Sequence, residues 1–167
     1  MHIPTDIEQL TELFKKFGAK DPELLAESQI KEEIPQLQRF LFLRQAWKRI
    51  LEEHETDWIQ QEIKNSETFP DAPYSGIGLA LKKCIQKGIA PQELTNIARG
   101  IQAQTLFHLC YLLDAPSFAE NELQNFAWGL FAVDENDNPY LPRINALHES
   151  VLETDPSGHE MRPQNKS

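Results

Sequence analysis

Between His148 and Arg162 the chain carries two imidazoles, four carboxylates and a guanidinium within fifteen residues, His148-Glu149-Ser150-Val151-Leu152-Glu153-Thr154-Asp155-Pro156-Ser157-Gly158-His159-Glu160-Met161-Arg162. These side chains bind divalent cations or move protons near neutral pH. On a helix His148 and Glu149 point about 100° apart, so a metal on His148 would take its other ligands from the following turn, from Asp155 or His159. In such a site His148 and Glu149 are the candidate acid–base residues and Arg162 the candidate anion-binding group. The spacing matches no standard zinc pattern, because Leu152 stands where H-E-x-x-H needs its second imidazole. A capped helix followed by a polar tail is the plainer reading and carries the greater weight.

Other constellations weaken on inspection. His54 and Asp57 could share a metal at a helix end, but His54 facing the negative end of its helix is the simpler expectation. Carboxylate-bridged dimetal bundles require repeated Glu-x-x-His, and no His here has Glu three positions earlier. His108 falls on an apolar stripe and is expected to be a buried, hydrogen-bonded imidazole. Cys110 points elsewhere on the same helix, so a Cys–His nucleophilic pair is disfavoured. Cys84 and Cys110 sit in apolar helical patterns as small hydrophobes, and a disulfide between them is not expected. Asp134-x-Asn136-x-Asn138 begins like a calcium loop, but Pro139 replaces its glycine and Asn145 its final glutamate. Gly76-Ile77-Gly78 completes no phosphate-binding motif.

The second concentration of chemistry is aromatic and acidic. Phe118, Phe126, Trp128, Phe131 and Tyr140 surround the turn cluster Asp134-Glu135-Asn136-Asp137-Asn138-Pro139. Such aromatics among acids suit a basic, partly apolar protein partner. Strand alternation would send Phe126, Trp128 and Leu130 to the core and leave Phe131 outside. The candidate partner-binding residues are therefore Asp134, Glu135, Asp137 and Phe131.

The elements that must position these groups can be read from periodicity and punctuation. Thr5 with Glu8 reads as a capping box for a helix from about Asp6 to Phe17, stopped by Gly18. Asp21-Pro22 opens a second helix that Pro35 interrupts. Residues 35 to about 54 carry Leu37, Phe40, Leu41, Leu43, Trp47, Ile50 and Leu51 at helical steps. Thr56 and Asp57 could cap another helix, residues 67–75 form a loop, and Ser75 starts a run that Gly88 ends. Pro91 opens a helix to Leu113, expected to lie buried at the centre of a bundle. A short helix is expected near 119–125, a β-hairpin over about 126–144 with Pro142 restricting its second strand to an edge, and a last helix capped by Asn145.

The 40% apolar and 25% charged composition is that of a folding chain, and 167 residues suit one domain. Its net charge of −10 is uneven: residues 1–113 hold 16 acidic and 13 basic groups, whereas 114–167 hold 10 and 3. That field opposes nucleic acid and anionic membrane surfaces. No apolar run reaches the ~18 residues of a membrane span, and the N-terminus lacks secretory-signal character, so a soluble, cytoplasmic protein is expected.

The expectation is thus a mainly α protein: a bundle of about six helices with a small C-terminal hairpin, one domain over 1–160, and a polar tail over 161–167. Its expected role is a noncatalytic interaction module, an adaptor or immunity-type inhibitor, binding a basic protein. The alternative is a metal-dependent enzyme or small-molecule binder using His148 to His159. No cofactor is predicted, a divalent metal being the one the segment could accommodate, and composition leaves the oligomeric state open.

Overall fold

Helix boundaries follow side-chain chemistry in most places. The computed structural model describes residues 3–117 and 120–163 and forms seven α-helices and one 3-10 turn among them. Helix α1 spans Ile7–Phe17; Asp6 caps it by accepting from the Gln9 N–H at 3.0 Å, and Gly18 ends it at φ 83°. The cap is thus Asp6 and not the expected Thr5. Helix α2 (Pro22–Lys31) begins on its proline, and α3 covers Gln36–Trp47. Helices α4 (Asp57–Thr68), α5 (Ser75–Gln86) and α6 (Pro91–Asp114) follow, then a 3-10 turn at Asn121–Leu123 and the single-turn helix α7 at Leu147–Ser150. Phe118 and Ala119, and the tail residues 164–167, lie outside the described residues.

The chain clusters into two compact units, one of residues 1–49 and 105–167 and one of residues 50–104. In the first, Leu10 and Phe14 of α1, Ala26 of α2, and Leu37 and Phe40 of α3 form the core. Phe14 and Phe40 meet edge to face, with centroids 5.8 Å apart, the arrangement that aromatic quadrupoles favour. Further along α3, Leu43 and Trp47 are buried, as are Leu147 and Val151. The Trp47 indole donates to the Val151 carbonyl at 2.9 Å, tying the C-terminal segment to α3.

The second unit packs α4 against α5 around Ile59, Leu81 and Leu94. Gly78 permits the close approach: a Cβ there would lie 2.2 Å from both the Glu62 carbonyl oxygen and Ser66 Oγ. Within this unit α6 uses polar side chains to satisfy the backbone of residues 51–55. Arg99 donates to the Leu51 carbonyl at 2.6 Å, Thr95 to that of Glu55 at 2.7 Å and Gln92 to that of Glu53 at 2.7 Å. Gln102 accepts from the Leu51 N–H at 2.9 Å. Helix α3 stops at Trp47, short of the expected end near His54, and His54 lies exposed in a turn instead of at a helix end.

Three further expectations are overturned. Helix α6 is not buried on most sides: Ile97 and Ile101 are 58% and 59% exposed, and His108 is exposed too. Besides Leu94, its buried positions Thr95, Arg99, Ala103 and Cys110 recur at steps of four and seven, so one stripe packs. That stripe is chosen partly by polar residues serving the neighbouring loop, which apolar periodicity does not reveal. The β-hairpin is also absent: the described residues contain two isolated antiparallel bridges, Leu130 with Ile144 and Val133 with Pro139, and no strand. Pro139 and Pro142 have no N–H to donate, and between the bridges three residue steps on one arm answer five on the other. A ladder cannot propagate through that shift. The last helix is likewise a single turn preceded by Ala146 at φ 53°, without an Asn145 cap.

Candidate functional site

The end of α6 determines how the C-terminal segment is held. The last four carbonyls of an α-helix have no intrahelical donor. Here Tyr111 O receives the Ala115 N–H at 2.9 Å, and Leu112 O receives the Trp128 indole at 2.8 Å. Arg143 Nη2 donates to Leu113 O and, at 2.6 Å, to Asp114 O. A guanidinium at the negative end of a helix also opposes its dipole. Gly129 provides the space, since a Cβ there would meet the Arg143 side chain at 2.6 Å.

The Asp114 side chain turns toward α7. Its Oδ2 accepts from the His148 backbone N–H at 2.9 Å and lies 2.6 Å from His148 Nδ1. The Asp114 side chain is 6% exposed and that of His148 23%. Asp114 Oδ1 is buried without a hydrogen-bond partner. The Tyr111 and Phe107 rings stand edge-on to the imidazole, with centroids at 5.0 and 5.9 Å. A carboxylate on Nδ1 fixes a tautomer and leaves Nε2 as the basic nitrogen, which is the orienting half of a nucleophilic triad. Among the described residues no hydroxyl or thiol is hydrogen-bonded to His148. Cys110, one turn before Asp114, is buried, and burial together with the Asp114 charge pushes its thiol up to about 12. A thiol held protonated is a poor nucleophile.

The other sequence-derived candidates do not converge on His148. Asp155 is buried and accepts from the Ser157 N–H at 3.1 Å, Ser157 Oγ at 2.8 Å and the Met161 N–H at 3.1 Å, so it shapes the turn around itself. His159 and Glu149 are exposed. Arg162 is solvent-exposed and pairs with Glu160 at 2.9 Å. Among the described residues no three His, Cys, Asp or Glu side chains are gathered closely enough to hold a metal. His148, Asp155 and His159 are not gathered into such a group.

Around the acidic turn, Asp134 Oδ1 accepts from the N–H groups of Asn136 at 2.8 Å and Asn138 at 3.0 Å. Those bonds, that of Asn138 foremost, hold its carboxyl below the ordinary range. Asp134 thus builds the turn, while Glu135 and Asp137 face solvent, Asp137 at φ 62°. Phe131 is 41% exposed, as the alternation argument expects, but Phe126, assigned to the core face, is 60% exposed. With no strand, alternation does not govern it.

No family model, curated protein or solved structure matches this chain. The site is therefore read from its own chemistry. Sequence reasoning did not find Asp114, Arg143 or the anchoring role of Trp128. The available signal was positional: Asp114 sits where helical periodicity stops, and a helix end requires donors.

Proposed function

We propose that this chain is a noncatalytic interaction module whose C-terminal segment docks onto a basic protein surface. The observation that supports this most directly is the coincidence of exposed Phe126, Phe131, Val133 and Tyr140 with the acidic turn Asp134 to Asp137. Apolar anchors inside a like-charged rim give contact area together with electrostatic selection. The segment is presented on a fixed base, through Trp128 and Arg143 on α6, so less ordering entropy is lost on binding. The Asp114–His148 contact favours a second, chemical reading of His148 and Glu149, but capping of α7 already accounts for it.

The test is purification from the source cell at low and high salt, comparing the native chain with Phe131→Ser and with the double change Glu135→Gln, Asp137→Asn. The expected result is a stoichiometric basic protein that is released at high salt and lost with either variant. Retention insensitive to salt and to both variants would remove the basis of the reading. Asp134 is left intact because its carboxylate holds the turn.

A further inference from the structure

A cavity of about 200 Å³ opens in the first unit between α3 and the segment after α7, its lining including the apolar Leu25 and Phe40 and the basic Lys20, Arg39 and Arg44. An apolar cavity of about 150 Å³ admits a benzene ring, so this one has room for a six-membered ring carrying a small polar head.

The chemistry of the head follows from Arg39. Its guanidinium donates to Gln36 Oε1 and, at 3.4 Å, to the Asn145 carbonyl, both neutral oxygens. No carboxylate of the described residues forms an ion pair with Arg39 or Arg44. Burial pulls the Arg39 guanidinium below its usual range, opposed by the fields of Glu153, Glu149 and Asp114. A partly buried guanidinium that lines a cavity and forms no ion pair of its own favours an incoming anion, and its planar fork matches a carboxylate. Arg44 lies over the Phe17 ring at 5.6 Å, leaving its charge at the same rim. The two carboxylates that line the cavity limit the choice. Asp155 is already engaged by Ser157 and Met161, and Glu153 at the rim repels a second negative charge.

We propose that this cavity is a binding site for a small organic monocarboxylate with a planar apolar body, its carboxylate on Arg39 and its ring over Leu25 and Phe40. The ring would replace water against Leu25 and the edge of Phe40, and the carboxylate would supply the direct ion pair that Arg39 lacks. The site is independent of the docking surface, although residues between His148 and His159 contribute to its wall.

The experiment is a nitrogen-15 NMR titration of the full chain with benzoate, and with benzamide and benzamidine as neutral and cationic isosteres. Saturable shifts at the amides of Arg39, Phe40, Leu43 and Thr154 are expected with benzoate, at least about tenfold weaker with benzamide and absent with benzamidine. Arg39→Gln should weaken benzoate about tenfold or more, and Arg44→Gln should weaken it by less. Arg44→Gln keeps the test valid should Arg39→Gln fail to fold. Equal binding of benzamide, benzoate shifts confined to other residues, or no saturation with benzoate would each overturn the proposal.

Discussion

The α4–α5 pair and the segment from Ala115 to Ala146 solve the same problem, how a stretch of chain is fixed, by different means. The helix pair relies on apolar burial around Ile59 and Leu81 and on the backbone-distance contact at Gly78. The segment relies on donors aimed at the open end of α6, from Trp128 and Arg143, and on one carboxylate that folds its own turn. When packing does the holding, the apolar residues go inside. When polar anchors do it, aromatics such as Phe126 and Tyr140 are left in solvent.

The largest expected effect tests the packed region. Gly78→Ala places a methyl group against the Glu62 carbonyl, and overpacking of this kind costs about 1–3 kcal/mol. Urea unfolding followed by Trp58, which packs on that core, should show the loss; an unchanged midpoint would mean that α4 and α5 are not in backbone contact. A smaller effect is expected in the anchored segment. Trp128→Phe keeps the ring but removes one donor from Leu112 O, about 0.5–1.5 kcal/mol. Hydrogen exchange at residues 126–144 should quicken while α4 and α5 stay unchanged; equal effects on both regions would erase the distinction.

The smallest effect is local and depends on pH. A carboxyl depressed in the folded state contributes stability above its ordinary pKa and loses it as pH falls through its lowered value. Asp134 should therefore hold the Asn136 and Asn138 amides in place at neutral pH and release them on the acid side of the usual carboxylate range. Their NMR shifts should titrate together and cease to do so in Asp134→Asn. Shifts that persist in the variant would assign the titration to another group.

Local signals in the sequence were reliable where one residue decides one geometry. Gly18 stops α1, Pro22 and Pro91 open α2 and α6, and the loop expected over 67–75 is found at 69–74. They failed where the outcome depends on residues distant in sequence. The burial pattern of α6 is set by Thr95 and Arg99 reaching the backbone near residues 51–55, and the contact between Asp114 and His148 joins positions 34 residues apart. His148 was legible as a reactive type. Its carboxylate partner was not, because nothing local distinguishes Asp114 from a solvated helix end.

The first unit is discontinuous along the chain, and this imposes an order on biosynthesis. Residues 50–104 are contiguous and can pair α4 with α5 as they leave the ribosome. Helices α1 to α3 emerge earlier and can pack on one another, but the end of α3 waits for the rest of the unit, since the Val151 carbonyl that receives the Trp47 indole is made 104 residues later. During translation the end of α3 is thus completed after the helices that follow it, with Trp47 without its Val151 partner in the interval. That interval, rather than the finished protein, is where a nascent chain of this design is most open to chaperones and proteases.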